Sequence, residues 1–201
     1  MSPSPRPLRV VAVSGSLTDP SRTTALVEAI AEAFGRVIPT QTHLIALNTL
    51  GPHLAGALTR KELPEVAEAE LQRVETADLL IVATPVYRAS FTGLFKHLFD
   101  FVDQYALVDT PVLLAATGGS ERHALIIEHQ LRPLFGFFQS LALPVGVYAH
   151  DSDFTDYRVA NEQLTERIEK AVAKALPLVR SSQAEREAVE RALAGEEPAE
   201  V

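Results

Sequence analysis

RVVAVSGSLTDPSRTT, residues 9–24, is the stretch that decides the fold. Its first part is continuously apolar rather than alternating, which is how a strand reads when both faces of its sheet are covered. Its second part leaves that strand through six hydroxyl-bearing side chains, one Arg and a single Gly, and then enters an amphipathic segment at helix period. The same couplet recurs along the chain. Short apolar runs, mostly branched, at residues 8–13, 43–47, 79–83, 112–116 and 145–148 read as strands. Helix-period segments lie at roughly 23–34, 64–76, 92–104, 123–143 and 162–179.

Strands and helices alternating with little between them predict an α/β fold, a doubly wound three-layer sandwich around a five-stranded parallel sheet. Five strands suit the flavodoxin-like order 2-1-3-4-5, in which a ligand sits beyond the carboxyl ends of the strands. A length of 201 residues supports one sizeable core, and no linker or repeat divides it. The expected organisation is an unfolded lead-in at residues 1–7, one domain over 8–180, and an acidic extension over 181–201. That extension sets six Glu against Arg186 and Arg191, half of the chain's net charge of −8, and reads as a solvated tail or as a segment docking on a second subunit.

Several function classes fall away on composition. A net charge of −8 with no Lys/Arg cluster argues against nucleic acid. No run is long enough to cross a bilayer, and MSPSPRPL lacks the apolar stretch of a signal peptide, so no membrane and a cytoplasmic location are expected. The absence of Cys excludes disulfides, thiolate nucleophiles and thiolate metal sites, so redox chemistry would need a bound cofactor.

The helix that begins near Ser21 or Arg22 presents unpaired N–H groups and a partial positive charge. Other helices answer with an acid in the first turn, Glu65 and Glu162 for instance, but Arg22, Thr23, Thr24, Ala25 and Leu26 contain none. A fixed cation and hydroxyl donors at such an end suit an external anion. One glycine, Gly15, rules out the dinucleotide fingerprint and the P-loop, which leaves a single terminal phosphate met by Ser16, Ser21, Arg22 and Thr23. The alternative is an ordinary Ser N-cap with Arg22 in solvent.

Two further loops belong to the same end of the sheet. After the third strand, Pro85 stops the run and Tyr87 offers a flat amphipathic ring. After the fourth, Thr117, Gly118 and Gly119 let backbone N–H groups approach a ligand. In the order 2-1-3-4-5 these three loops converge, and a phosphate end, a flat apolar wall and a glycine wall suit FMN.

SGSLTDPSRTT, TPVYRASFTGLFKHLFD, ATGGSERH and HDSDFTDY, in this order, resemble the NAD(P)H-dependent FMN reductases of bacterial sulfonate-utilising two-component monooxygenases, of the alkanesulfonate and methanesulfonate type. The resemblance covers roughly residues 9–179. It implies a flavodoxin-like enzyme that reduces FMN with NADH or NADPH and releases FMNH2 to a partner monooxygenase. It places the flavin phosphate at Ser16, Ser21, Arg22 and Thr23, and the ring against Pro85, Val86, Tyr87, Thr117, Gly118 and Gly119, with Ser14, Arg88 and Ser120 as further cofactor-binding candidates. Many relatives read G-S-P-R in the first loop, where this chain has Leu17 and Thr18, so Arg22 is the only nearby cation. Hydride transfer between stacked rings needs orientation and not a side-chain acid or base, so no catalytic residue is nominated. A backbone N–H within residues 87–89 is expected to face flavin N5.

Pro133 sits inside an apolar helix-period segment, where its ring collides with the carbonyl of His129. A π turn relieves that clash, and in the resembling reductases a bulge at the position of His129 lies near the flavin and a tetramer interface; a simple kink is the alternative. Leu94, Phe95, Leu98, Phe99, Phe101 and Val102 spread around more than one helix face, which with Phe135, Phe137 and Phe138 points to a homodimer or homotetramer, or else to a helix buried within one chain. His123 and His129 are about 240° apart around a helix, no H-E-x-x-H is present, and Asp151, Asp153 and Asp156 read as a solvated loop, so no metal is expected. Two rival functions share the fold: a quinone or azo reductase that retains FMN, and a flavodoxin-type electron carrier.

Overall fold

The computed structural model describes residues 6–194. In chain order the elements are β1 (Leu8–Ser14), α1 (Arg22–Gly35), β2 (Thr40–Ala46), α2 (Leu47–Leu54), α3 (Glu65–Glu75), β3 (Leu79–Pro85), α4 (Gly93–Phe101), β4 (Pro111–Gly118), a π turn (Ile127–Leu131), α5 (Arg132–Phe137), β5 (Leu141–Ala142), β6 (Val147–His150), β7 (Phe154–Thr155), β8 (Arg158–Val159) and α6 (Glu162–Ala194). The main sheet is parallel in the order β2-β1-β3-β4-β5, the order expected from the strand pattern. Its fifth position is filled by two short pieces. β5 pairs with Pro111 and Val112, and β6 pairs with residues 115–118 of β4. Pro144, which has no N–H to donate, lies in the gap between them.

Both faces of the sheet are covered, which is why its strands are apolar at consecutive positions. Val10, Ala12, Ile81, Ala83, Leu113 and Ala115 pack with α1 and α6. Val11, Val13, Leu80, Val82, Leu114 and Ala116 pack with α2, α3, α4 and α5.

Three expectations change. The segment 47–54, to which the sequence pattern assigns no helix, is helical: α2 buries Leu47, Leu50 and Leu54 and lays Gly51 so close to α4 that a Cβ there would stand 2.8 Å from Leu94. That packing covers the second apolar face of α4, and Phe95, Leu98, Phe99, Phe101 and Val102 are all buried within the chain. They therefore give no argument for an oligomer. The segment 123–143 is not one helix. It divides into a 3-10 turn at Glu121–His123, the π turn, and α5 with Pro133 in its first turn, so that Arg132 N–H bonds to the Ile127 carbonyl five residues back, upstream of the proline.

The third change concerns the chain ends. α6 does not stop near Val179 but continues to Ala194, about 50 Å in all. Ser182 and Gln183 are buried, and Arg186 donates to the Ala77 carbonyl at 2.8 Å and to Thr110 Oγ1. The tail expected to be solvated from Ser181 is thus packed at the amino ends of the strands as far as it is described; residues 195–201 lie outside the described part. Residues 1–5 of the lead-in do too, but Arg6 is held: its guanidinium and that of Arg9 both donate to Asp78. Burial pushes the Asp78 carboxyl up, and hydrogen bonds from Arg6 and Arg9 overcome it, leaving it well below the usual carboxylate range.

Candidate functional site

At the carboxyl ends of β1, β3 and β4 the chain forms an open hollow of about 280 Å³. Its position follows from register: Ser14 sits opposite Ala83, and Pro85 opposite Thr117, so the three loops leave the sheet side by side. Gly15 is the crossing point. Its N–H donates to the Ala83 carbonyl at 2.7 Å, and a Cβ would meet Phe95 at 2.9 Å and that carbonyl at 3.0 Å, so no larger residue lets β1 turn out here. Thr92 fastens the turn by donating to the Gly15 carbonyl at 3.0 Å while its oxygen caps α4 at Phe95. Val86 N–H donates to the Thr117 carbonyl at 2.9 Å and joins the second loop to the third.

The first loop forms the polar end. Ser21 is the N-cap of α1, accepting from Thr24 N–H at 3.2 Å, and no acid stands in the first helical turn. The N–H groups of Arg22 and Thr23 have no acceptor among the described residues, so their dipoles face the hollow. Ser16, buried at the rim, exchanges hydrogen bonds with Thr18. Thr23 Oγ1 meets Thr117 Oγ1 at 2.7 Å across the floor.

The opposite wall is made by backbone. Tyr87 and Ser90 pair N–H to carbonyl in both directions, at 2.8 and 3.0 Å, which forces Arg88 and Ala89 into the left-handed region at φ 50° and 65°. Two consecutive non-glycine residues there strain the turn by about 1–3 kcal/mol each. Gly118 is walled by Tyr148, whose hydroxyl donates to the Ser120 carbonyl at 2.6 Å; a Cβ on Gly118 would lie 2.5 Å from that oxygen. Burial, ahead of nearby Asp151 and Glu121, raises the Tyr148 pKa, so the hydroxyl stays a donor.

Of the residues singled out from sequence, Ser16, Ser21, Arg22, Thr23, Pro85, Val86, Tyr87, Thr117, Gly118 and Gly119 line this one hollow. Ser14, Arg88 and Ser120 do not. Ser14 is fully buried and bonded to Thr24 Oγ1 at 2.8 Å, Arg88 is at the tip of its turn, and Ser120 caps the 3-10 turn that follows. His129 lines a neighbouring hollow of about 270 Å³ with Arg122, His123 and Gln130, sharing Val86 as a common wall.

Sequence reasoning missed Thr18, Pro20, Asp151 and Tyr157, which also line the site. Asp151 Oδ1 lies 3.7 Å from Arg22 Nη1, and the Tyr157 ring centre lies 5.5 Å from the same guanidinium. Asp153, expected in solvent, is buried instead, accepting from His150 N–H, Asn161 Nδ2 and Arg167. A further hollow of about 230 Å³ lies at the other end of the sheet, but its cations are committed: Arg9 to Asp78, and Arg73 toward Glu70 at 3.9 Å.

The family model described as NADPH-dependent FMN reductase matches residues 8–155, which includes the loops after β1, β3 and β4. The chain belongs to that family. Over 86% of its length this reductase is 57% identical to the NADH-dependent FMN reductase SfnF of Pseudomonas fluorescens, covering 92% of that protein. It is 52% identical, with the same coverage, to an FMN reductase (NADPH) of Pseudomonas aeruginosa. Among solved structures, an oxidoreductase from Corynebacterium diphtheriae superposes with a TM-score of 0.78 at 33% identity, over 87% of this chain and 98% of that one. The reductase is accordingly a flavodoxin-like enzyme whose reaction takes FMN and a nicotinamide coenzyme. Among the described residues, no helix is long and apolar enough to cross a membrane.

Proposed function

We propose that the reductase binds FMN with its phosphate at the start of α1, against Ser16, Ser21, Arg22 and Thr23, and its ring against Pro85, Val86, Tyr87, Thr117, Gly118 and Gly119. One observation carries this reading: the uncommitted N–H groups of an acid-free helix start open onto the same hollow as a wall with no side chain at Gly118 and Gly119. Bound flavin supplies the hydride acceptor. The chain's own task is to hold two rings in contact and exclude other geometries. No acid or base is assigned. Tyr87 N–H is spent on the Ser90 carbonyl, so the N–H groups that the turn leaves for the ring's N5 edge are those of Arg88 and Ala89.

The nicotinamide coenzyme has room in the neighbouring hollow, where Arg122, His123 and His129 offer cationic and donor groups to its phosphates. Reduced flavin passes to a partner monooxygenase, in organosulfonate desulfonation, in the cytoplasm. A homodimer or homotetramer formed about the π turn at His129 belongs to the same reading; sedimentation of a His129→Ala variant tests it, a smaller assembly supporting it.

Steady-state oxidation of NADH and NADPH with FMN, FAD and riboflavin in parallel tests the site. Riboflavin, lacking the phosphate, should bind more weakly by about 2–4 kcal/mol, roughly 30- to 1000-fold. Equal use of riboflavin and FMN would overturn the phosphate assignment.

A further inference from the structure

We propose that Asp151 is a resident competitor for the flavin phosphate, a carboxylate placed beside Arg22 that keeps FMN binding weak enough for the flavin to leave. The inference rests on the reading that Arg22 receives that phosphate.

Four observations carry it. Among the residues lining the hollow, Arg22 is the one cation and Asp151 the one carboxylate, so a phosphate monoester enters a site whose side chains carry no net charge. The ion pair is loose. At 3.7 Å it is too long for a hydrogen bond, and both side chains are about half exposed, 44% and 49%, so the guanidinium remains open to exchange one oxyanion for another.

The carboxylate has no structural occupation. The short turn Asp151–Asp153 is fixed by Asp153, which takes the bonds from His150, Asn161 and Arg167, whereas the Asp151 carboxylate accepts no hydrogen bond among the described residues. Its position is nevertheless well determined: β6 sets His150 opposite Gly118, and Asp151 Oδ2 lies 3.4 Å from where a Gly119 Cβ would stand.

Arg22 is also held from its other side. Asp156 and Tyr157 take left-handed φ values of 48° and 58° at the β7–β8 turn, and the Tyr157 ring rests under the guanidinium. A neutral cation–π partner steadies Arg22 whichever anion it faces. The acid that α1 lacks in its own first turn is therefore supplied from more than a hundred residues away, at a point where an incoming phosphate must displace or repel it.

The test is equilibrium binding of FMN and of riboflavin, read by quenching of flavin fluorescence, to wild-type protein and to Asp151→Asn and Asp151→Ala. Both variants should bind FMN ~5- to 30-fold more tightly, with slower release on dilution, the range for removing one like charge at a hydrated site. Riboflavin binding should stay within about twofold, and the gain for FMN should shrink in high salt. Unchanged or weakened FMN binding in both variants overturns the inference, as does equal tightening of riboflavin. If wild-type protein itself fails to prefer FMN over riboflavin, the phosphate reading beneath it is what has failed, and the inference goes with it.

Discussion

Thr23 and Thr117 join their hydroxyl oxygens at 2.7 Å in the buried floor of the cleft, tying the first turn of α1 to the end of β4 across 94 residues of chain. Each is almost fully buried, so neither hydroxyl can turn to water instead. Thr23→Val and Thr117→Val should each destabilise the fold by about 1–3 kcal/mol through the oxygen left unpaired, and the double variant by less than the sum. Urea unfolding of the three variants measures the coupling.

Gly118→Ala should damage both folding and flavin binding, because its Cβ would stand 2.5 Å from the Tyr148 oxygen and 3.3 Å from Val86. Relief lies in the clashing atom itself. Combining it with Tyr148→Phe removes that oxygen at the cost of one bond to the Ser120 carbonyl, and should restore most of the lost melting temperature.

Asp78 predicts an acid dependence. Its folded carboxyl titrates below the unfolded value of about 3.9, so its stabilisation is full above about pH 4 and is lost as pH falls toward the folded value. Asp78→Asn should destabilise by roughly 2–4 kcal/mol at pH 7, discounted for the partial exposure of Arg6 and Arg9. The gap between variant and wild type should narrow below pH 4 in a series of melts.

Ending the chain after Val179 removes Arg186 and its bonds to Ala77 and Thr110. A loss of about 2–4 kcal/mol, or roughly 5–15 °C in Tm, is expected, with FMN affinity unchanged because the contacts lie at the opposite end of the strands.

Arg122→Ala addresses the coenzyme. If the hollow beside the Tyr87 turn takes its phosphates, KM for NADPH should rise several-fold more than KM for NADH, with kcat for either changed less than twofold.

The sheet was legible because burial on both faces leaves an unmistakable mark at residues such as Val10 to Val13, and its order is the flavodoxin-like one that five such strands suit. The acid-free start of α1 and the glycines after β4 were legible for the same kind of reason, each a local departure from what a plain turn needs. α2 was not, since Gly51 and Pro52 carry the composition of a loop and only packing against Leu94 makes them helical. Asp151 and Tyr157 escaped because their importance lies in nearness to Arg22, and neither two-residue strand of the β7–β8 hairpin is long enough to leave a period in the sequence.

The clasp of Arg6, Arg9, Asp78 and Arg186 gathers the early and late parts of the chain at the base of the strands, while the cleft opens at their tops. An affinity handle, a bead or a second enzyme attached through either end of the polypeptide would therefore grip the molecule by its underside and leave the mouth facing outward. Immobilised in that orientation, the catalyst should exchange small molecules with the surrounding liquid as readily as it does when untethered.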